Sequence, residues 1–352
     1  MKKFTGIVSA ILTLSMVLSL SACGGSSSAS DNKGSANNSG SDDKVYTLKL
    51  AGSMAVEAPV SKRMERVAEI CAEKSNGRLE IKTYPANQLG DSTLVFESIM
   101  DGSVDMGCFY NSNSYDPRIA INSLPYLATT TDEMKTIFSR DSHYFEAYSD
   151  IMSDLNIKLL GTHVDGWVGF LYAKYPNNYN DVNAAKDLLI RIPGVDAYKY
   201  MMADMGYNSV SVAWADLYTA LQTGVCDGAV GATLISCYDS FRDVTKYWVP
   251  YHCTIENLDY MINQDTWNEL PEDLQTILQE AIDEVTQQQI EEFEELEASY
   301  EKKLVKEQGI EILPLTDEEL QAYADVVREK TWPKIAEEIG QDLIDTIKLD
   351  LE

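Results

Sequence analysis

An arginine stands in the middle of an apolar run, Leu188–Gly194, which reads LLIRIPG. Arginine is rarely buried without a partner. Its planar guanidinium presents parallel N–H donors that match the two oxygens of a carboxylate, a geometry that lysine lacks. Pro193 and Gly194 end the run, so Arg191 falls near the C-terminal end of a strand. In open α/β sheets that end is where ligands bind. Two readings follow for Arg191: an internal pair with Asp165, Asp216 or Asp227, or a grip on an acid from outside. The other chemistry-bearing residues point away from catalysis. His143, His163 and His252 show no H-E-x-x-H spacing, and the chain has no G-x-S-x-G and no phosphate-cradling glycine loop. His163, in GTHVDGW, precedes a strand and is within range of a ligand there. Carboxylates crowd EEFEELEASYEKK, with Glu291–Glu295 and Glu297–Glu301 at i,i+4 spacing. Like charges at that spacing repel, so this is a solvated helix face and not an acid/base pair.

The chain around these residues has 352 positions, enough for roughly two domains of ~150 residues. Hydrophobic residues make up 45%, so a sizeable core is available. A net charge of −28, from 28 basic and 56 acidic residues, repels phosphate backbones and excludes nucleic acid as a partner. The N-terminus, MKKFTGIVSAILTLSMVLSLSACGG, has a basic start, an apolar stretch and small residues ahead of a cysteine. Leu20, two small residues and Cys23 are similar to the lipobox of bacterial lipoproteins. That likeness implies a signal peptide over 1–22, a lipidated Cys23 and attachment to the outer face of the cell membrane. Residues 23–44, mostly Gly, Ser, Asn and Asp, form a flexible linker with nothing to build a core. No later run of ~18 apolar residues suggests a membrane span. Five cysteines remain after Cys23 (Cys71, Cys108, Cys226, Cys237 and Cys253), without C-x-x-C spacing. The odd count and dispersal argue against a zinc site or a disulfide scaffold. Pairing among Cys226, Cys237 and Cys253 stays open.

The hydrophobic periodicity supplies the elements that must position Arg191. Residues 46–51 alternate as a strand. Val60, Met64, Val67, Ala68 and Cys71 trace one helix face, and 79–84 alternate again. Strand–helix–strand is the unit of an α/β sheet. A helix at about 91–101 and a strand in SVDMGCF follow. Further on, strands are expected at 157–161, 167–173, LLIRIP and NSVSVA. Helices are expected at 195–206 and at 214–223, the latter capped by Gly224, and then a short strand and turn in CDGAVGA. Residues 271–307 keep helical spacing over ~55 Å at 1.5 Å per residue, too long for a small domain. The stripe is interrupted around Gln287–Gln289, so a helix bracing two domains fits better than a coiled coil.

At this point the chain resembles the solute-binding proteins of tripartite ATP-independent periplasmic (TRAP) transporters, the DctP family. The stretches that carry the likeness are AEKSNGRLEIKTYPANQLGD, SLPYLATTTDEM, NIKLLG, DLLIRIPG, VSVAWADLYTALQTGVCDG and LPEDLQTILQEAIDE, in order from about residue 46 onward. The resemblance implies an α/β, two-domain periplasmic-binding-protein-like fold of type II character, with a cleft and a long helix bracing both domains. Domain I is expected over 45–165 plus about 256–285. Domain II is expected over 166–255 plus about 286–352, with the bridging helix at 271–307. It implies a monomer that binds an organic acid in the cleft, closes by a hinge and delivers the acid to a permease of small and large membrane subunits. Uptake would be driven by an ion gradient. The same likeness gives Arg191 a two-pronged salt bridge to the ligand carboxylate, and places the ring of Trp214 on the ligand's carbon skeleton.

Departures from sialic-acid-binding members shape the expected ligand. An asparagine after the DG segment is replaced by Gly231, and another, three residues past the strand arginine, by Gly194. A second arginine falls near Val168. A Glu and an Arg fall near Tyr110 and Asn113. Arg191 is kept while its polar helpers are lost. Trp167, Trp214, Tyr110 and Phe109 point to an aromatic-lined cleft for a small, less hydroxylated carboxylate. The DG segment offers only Ala229, Val230 and Gly231 where some members hold a metal, so no metal and no cofactor are expected. The competing reading is a ligand-binding lipoprotein that feeds a sensor, a receptor or another importer.

Overall fold

A computed structural model describes residues 44–111 and 113–351. The signal peptide, the lipidated Cys23 and nearly all of the linker lie outside these residues. In chain order the strands are β1 (Tyr46–Gly52), β2 (Leu79–Tyr84), β3 (Met106–Phe109), β4 (Ile157–Tyr172), β5 (Leu189–Ile192), β6 (Asn208–Ser211), β7 (Gly228–Ala232), β8 (Tyr247–Asn263) and β9 (Glu311–Ile312). The helices are α1 (Pro59–Lys74), α2 (Ser92–Met100), α3 (Thr131–Ile137), α4 (His143–Asp154), α5 (Asp196–Asp204), α6 (Leu217–Thr223), α7 (Leu234–Ser236), α8 (Gln264–Glu269), α9 (Glu272–Gln308), α10 (Asp317–Lys330), α11 (Trp332–Ile339) and α12 (Gln341–Lys348).

One sheet runs in the order β2-β1-β3-β8-β4-β7-β5-β6, with β9 paired to β8. Its two wings are parallel: β2-β1-β3 on one side and β7-β5-β6 on the other. Each wing is a strand–helix–strand unit, as the alternating periods of the sequence require. The antiparallel pair β4 and β8 runs through the middle and belongs to both wings. Residues 157–161 and 167–173, expected as two strands, are one strand. β8 carries no clear period in the sequence because most of its residues are buried, on both faces.

The β4–β8 ladder slips register at three places, leaving out Leu160, Asp165 and Gly169. The first two slips are one-residue bulges, which bend the strand and reverse which face the following side chains take, whereas at the third Gly169 stands against Pro250–Cys253 of β8. The bulge at Asp165 has a dedicated partner. Gln289 of α9, 1% exposed, accepts from the Val164 N–H at 3.1 Å and donates back to the Val164 carbonyl. The break in the apolar stripe at Gln287–Gln289 therefore marks the point where the helix satisfies a strand irregularity.

The 37-residue α9 braces both wings. Leu274, Leu278, Ile282 and Val285 pack in the core of β1, β3 and α1. Phe293 enters the shared core, and Leu304 enters the core beneath α6 and β7. Arg63 and Arg78 tie the first wing to α9 through Glu292 (2.8 Å) and Asp273 (2.6 Å). Gly309 ends the helix at φ 69°. The C-terminal helices do not stay with the second wing, where the sequence places them. Trp332 donates to the Pro125 carbonyl at 2.7 Å, and Asp350 accepts from the His143 and Tyr144 N–H groups. Thr331 and Lys334 meanwhile bond Asp204 at the end of α5. Helices α10–α12 thus clasp both wings. Cys71, Cys108, Cys226, Cys237 and Cys253 are all buried free thiols.

Candidate functional site

Arg191 sits in β5 between β6 and β7, opposite Val210 and Ala229. All three strands are parallel, so their C-terminal ends converge. Arg191 Nε donates to the Val212 carbonyl at 2.7 Å, just past the end of β6. Its Nη1 donates to the Val230 carbonyl in β7 at 3.2 Å. Both acceptors are neutral. Among the described residues no carboxylate lies within ion-pair distance of Arg191. Asp227, one of its candidate partners, instead bonds Lys174 at 2.6 Å and the Leu189 N–H. Arg191 is 2% exposed, and burial lowers its pKa. It is therefore a buried cation held by backbone carbonyls, walled in and not standing free in open water.

Two expected site residues form that wall. The Arg191 guanidinium lies 5.6 Å from the ring centroid of Trp214, within cation–π range. Trp214 is 44% exposed and packs edge-on against Phe241. Gly231 has φ 100°, and a Cβ there would stand 3.4 Å from Arg191 Nη1. The glycine thus leaves the strand end open in front of the arginine.

Trp214 and Gly231 line a cavity of about 520 Å³ between the wings. The first wing contributes Met54, Pro59, Ser92 and Tyr110, and the second contributes Thr233, Ile235 and Asp239. The crossing strands supply Asp165, Glu256 and Leu258. Asp239 sits on a π-helical turn, Cys237–Phe241, which sets it against the cavity.

The remaining expected residues go elsewhere. Trp167 turns away, because the bulge at Asp165 reverses its face. It stacks on His252 at 4.8 Å and meets Phe293 edge-on beside α9. Asn113 lies in the turn after β3 and is not part of the cavity wall. Phe109 and Val168 are core residues. Tyr218 is exposed, and Asp216 makes no side-chain cap at the start of α6. His163 is 1% exposed, with Nε2 3.9 Å from Asp165, and burial lowers its pKa. Of the four aromatic residues expected to line the cleft, Tyr110 and Trp214 do so. Aliphatic, hydroxyl and carboxylate groups supply the rest of the wall.

The sequence reading missed the carboxylates. Asp165 entered it only as a possible partner of Arg191, and Glu256 lay in a stretch not assigned to a strand. Burial and the neighbouring charge of Asp165 push Glu256 up to about 8. Burial also pushes Glu297 up to about 8, helped by the charges of Asp165 and Glu301 and opposed by a bond from the Trp167 backbone. Asp239 is raised as well, mainly by burial. A carboxyl raised in the folded state stabilises the fold below its unfolded pKa and loses that contribution as pH climbs through the folded value. His163 and His252, lowered by burial, act in the opposite sense, but only below about 6.5. Unliganded protein should therefore lose stability between pH 6.5 and 8, on the order of 1–3 kcal/mol. Urea titrations at the two pH values measure this, and Glu256→Gln with Glu297→Gln should flatten the difference. A parent protein equally stable at both would contradict the burial of these groups.

A mixed sheet of two α/β wings around a crossing pair, with a cleft at the converging strand ends and a helix bracing both sides, defines a two-domain solute-binding protein of the periplasmic type. The family model "Bacterial extracellular solute-binding protein, family 7" (DctP) matches residues 50–338. The chain belongs to this family, that of the TRAP-type solute-binding proteins. It is 28% identical over 271 residues to a solute-binding protein of Chromohalobacter salexigens, covering 74% of this chain and 76% of the relative. It is 24% identical over 288 residues to the sialic acid-binding periplasmic protein SiaP of Vibrio cholerae, covering 81% of each. The fold is similar to that of a TRAP periplasmic solute-binding protein from Ochrobactrum anthropi, solved with a C-terminus bound in its ligand-binding pocket. The TM-score is 0.79 at 22% identity, over 88% of this chain and 95% of that one.

Proposed function

We propose that this chain is the extracytoplasmic solute-binding subunit of a TRAP transporter. It captures a small organic acid in the cavity between the wings and hands it to a permease of small and large membrane subunits. The observation that carries this reading is Arg191: a buried guanidinium at the converging strand ends, with no counter-charge among the described residues. An unpaired buried charge is costly, and a carboxylate in the adjoining cavity removes that cost. Trp214 offers its exposed face to the ligand's carbon skeleton, and Gly231 gives the carboxylate room to approach. Relatives named for sialic acid and for C4-dicarboxylates support an acid as the ligand class. The lipobox-like Cys23 would keep the subunit at the outer face of the membrane, as a monomer tethered by residues 24–44.

A thermal-shift screen of organic acids tests the reading. An acid at ~100 times its Kd should add about 2.7 kcal/mol to stability. A broad panel of mono- and dicarboxylates, sugar acids and amino acids in which none raises the Tm would sink it.

A further inference from the structure

We propose that the cavity is built for a zwitterion, whose carboxylate turns to Arg191 while its ammonium or amidinium group seats between Asp165 and Glu256. The inference rests on the carboxylate reading above and adds a second, opposite recognition element to the same cavity. Asp165 lies in the cavity wall at 5% exposure, and His163 is its one side-chain partner among the described residues. Within ion-pair distance it has one basic atom, His163 Nε2 at 3.9 Å, on a ring that burial holds toward the neutral form. Glu256 also lines the cavity, and it has neither a hydrogen bond nor an ion pair among the described residues.

The fold aims both groups on purpose-built backbone. Glu256 lies opposite Gly166, next to the Val164/Gly166 slip. Asp165 is the residue that the slip leaves out of the ladder, and Gln289 holds the slip in place. A structural role would come with donors, as it does for Asp259 on the same strand. That carboxylate accepts from Thr162, Asn111 and Tyr148. Asp165 and Glu256 have no such set, so their missing donors are left for whatever enters the cavity. A carboxylate pair without donors, with Asp165 buried and Glu256 partly exposed in the cavity wall, is unfavourable, and a cation between them relieves both the repulsion and the lost hydration.

The identity of the cation follows from the wall. Among the described residues no group of three His, Cys, Asp or Glu side chains is placed to hold a metal ion. Met54, Pro59, Ile235 and Leu258 line the same cavity with aliphatic surface, which suits an organic ammonium. A simple dicarboxylate fits poorly, since its second anion would face Asp165 and Glu256.

The test is calorimetric titration of ligand-stripped protein at pH 8, using matched sets. Each set holds an amino acid or related amino-carboxylate, its deaminated acid and its decarboxylated amine, with succinate as the dianion. The tightest zwitterion should bind at least about 100-fold better than its deaminated acid, and Glu256→Gln should shrink that gap to about tenfold or less. Deaminated acids or succinate binding as tightly as the best zwitterion, or a panel in which no zwitterion binds, overturns the inference. If an acid still binds in that case, the proposed function stands. Amines binding as well as the zwitterions, with no acid bound, would keep the cation seat and sink the carboxylate anchor instead.

Discussion

Replacing Arg191 with methionine should weaken binding of the best acid from the screen by about 100-fold or more, as read by calorimetry. Among the described residues, the guanidinium is the counter-charge we propose for an acid at the converging ends of β5, β6 and β7. Losing it leaves a carboxylate desolvated against the neutral carbonyls of Val212 and Val230. The unliganded fold should change far less. Methionine forfeits two hydrogen bonds, worth about 1 kcal/mol each. It also removes an unpaired buried charge, which offsets that loss. The Tm of the free variant should stay within about 3 °C of the parent. Arg191→Lys should regain less than half of the lost binding free energy, because an ammonium cannot present the two-pronged fork. Binding kept within a few-fold by the methionine variant would place the anchor elsewhere in the cavity.

Gln289→Leu should be among the most damaging single changes on α9. The glutamine is 1% exposed and serves both the N–H and the carbonyl of Val164. Leucine fills the same space but leaves two buried backbone groups unsatisfied, at about 1–3 kcal/mol each. A fall in Tm of about 5–10 °C is expected for a chain of this size. Ligand affinity should drop as well, since the bulge that Gln289 supports carries Asp165 into the cavity. The control is Gln287→Leu, two residues away on the exposed face, which bonds only Glu291. It should shift stability by no more than about 0.5 kcal/mol. Equal effects from the two substitutions would mean that Gln289 is not a support for the bulge.

Much of the architecture was legible in the chain because local periodicity and burial agree there. The run from β1 through α1 to β2, the Arg191 strand, the helix closed by Gly224 and the long α9 all stand where their patterns put them. β8 was not legible. Seventeen residues buried largely on both faces erase the alternation on which strand reading depends. With β8 went Glu256, which reads as an ordinary surface carboxylate until its strand is known. Trp167 was misplaced for a related reason. A bulge cannot be read from GTHVDGW, and the one at Asp165 decides which side chains of this stretch face the cavity: Trp167 meets His252 and Asp165 meets the cavity.

The sequence by itself determined the family, the α/β wings and an arginine in an apolar strand, with its partner left open between Asp165, Asp216, Asp227 and an acid from outside. These rest on residue order and short-range pattern, which a linear chain records directly. Only the tertiary structure decided the charge of the cavity. Asp165 comes from a bulge in β4, Glu256 from β8, Asp239 from a π-helical turn and Arg191 from β5, and no local pattern links the four. Their proximity depends on long-range strand pairing, which brings Asp165 and Glu256, 91 residues apart, to one cavity wall with Arg191 behind Trp214 and Gly231.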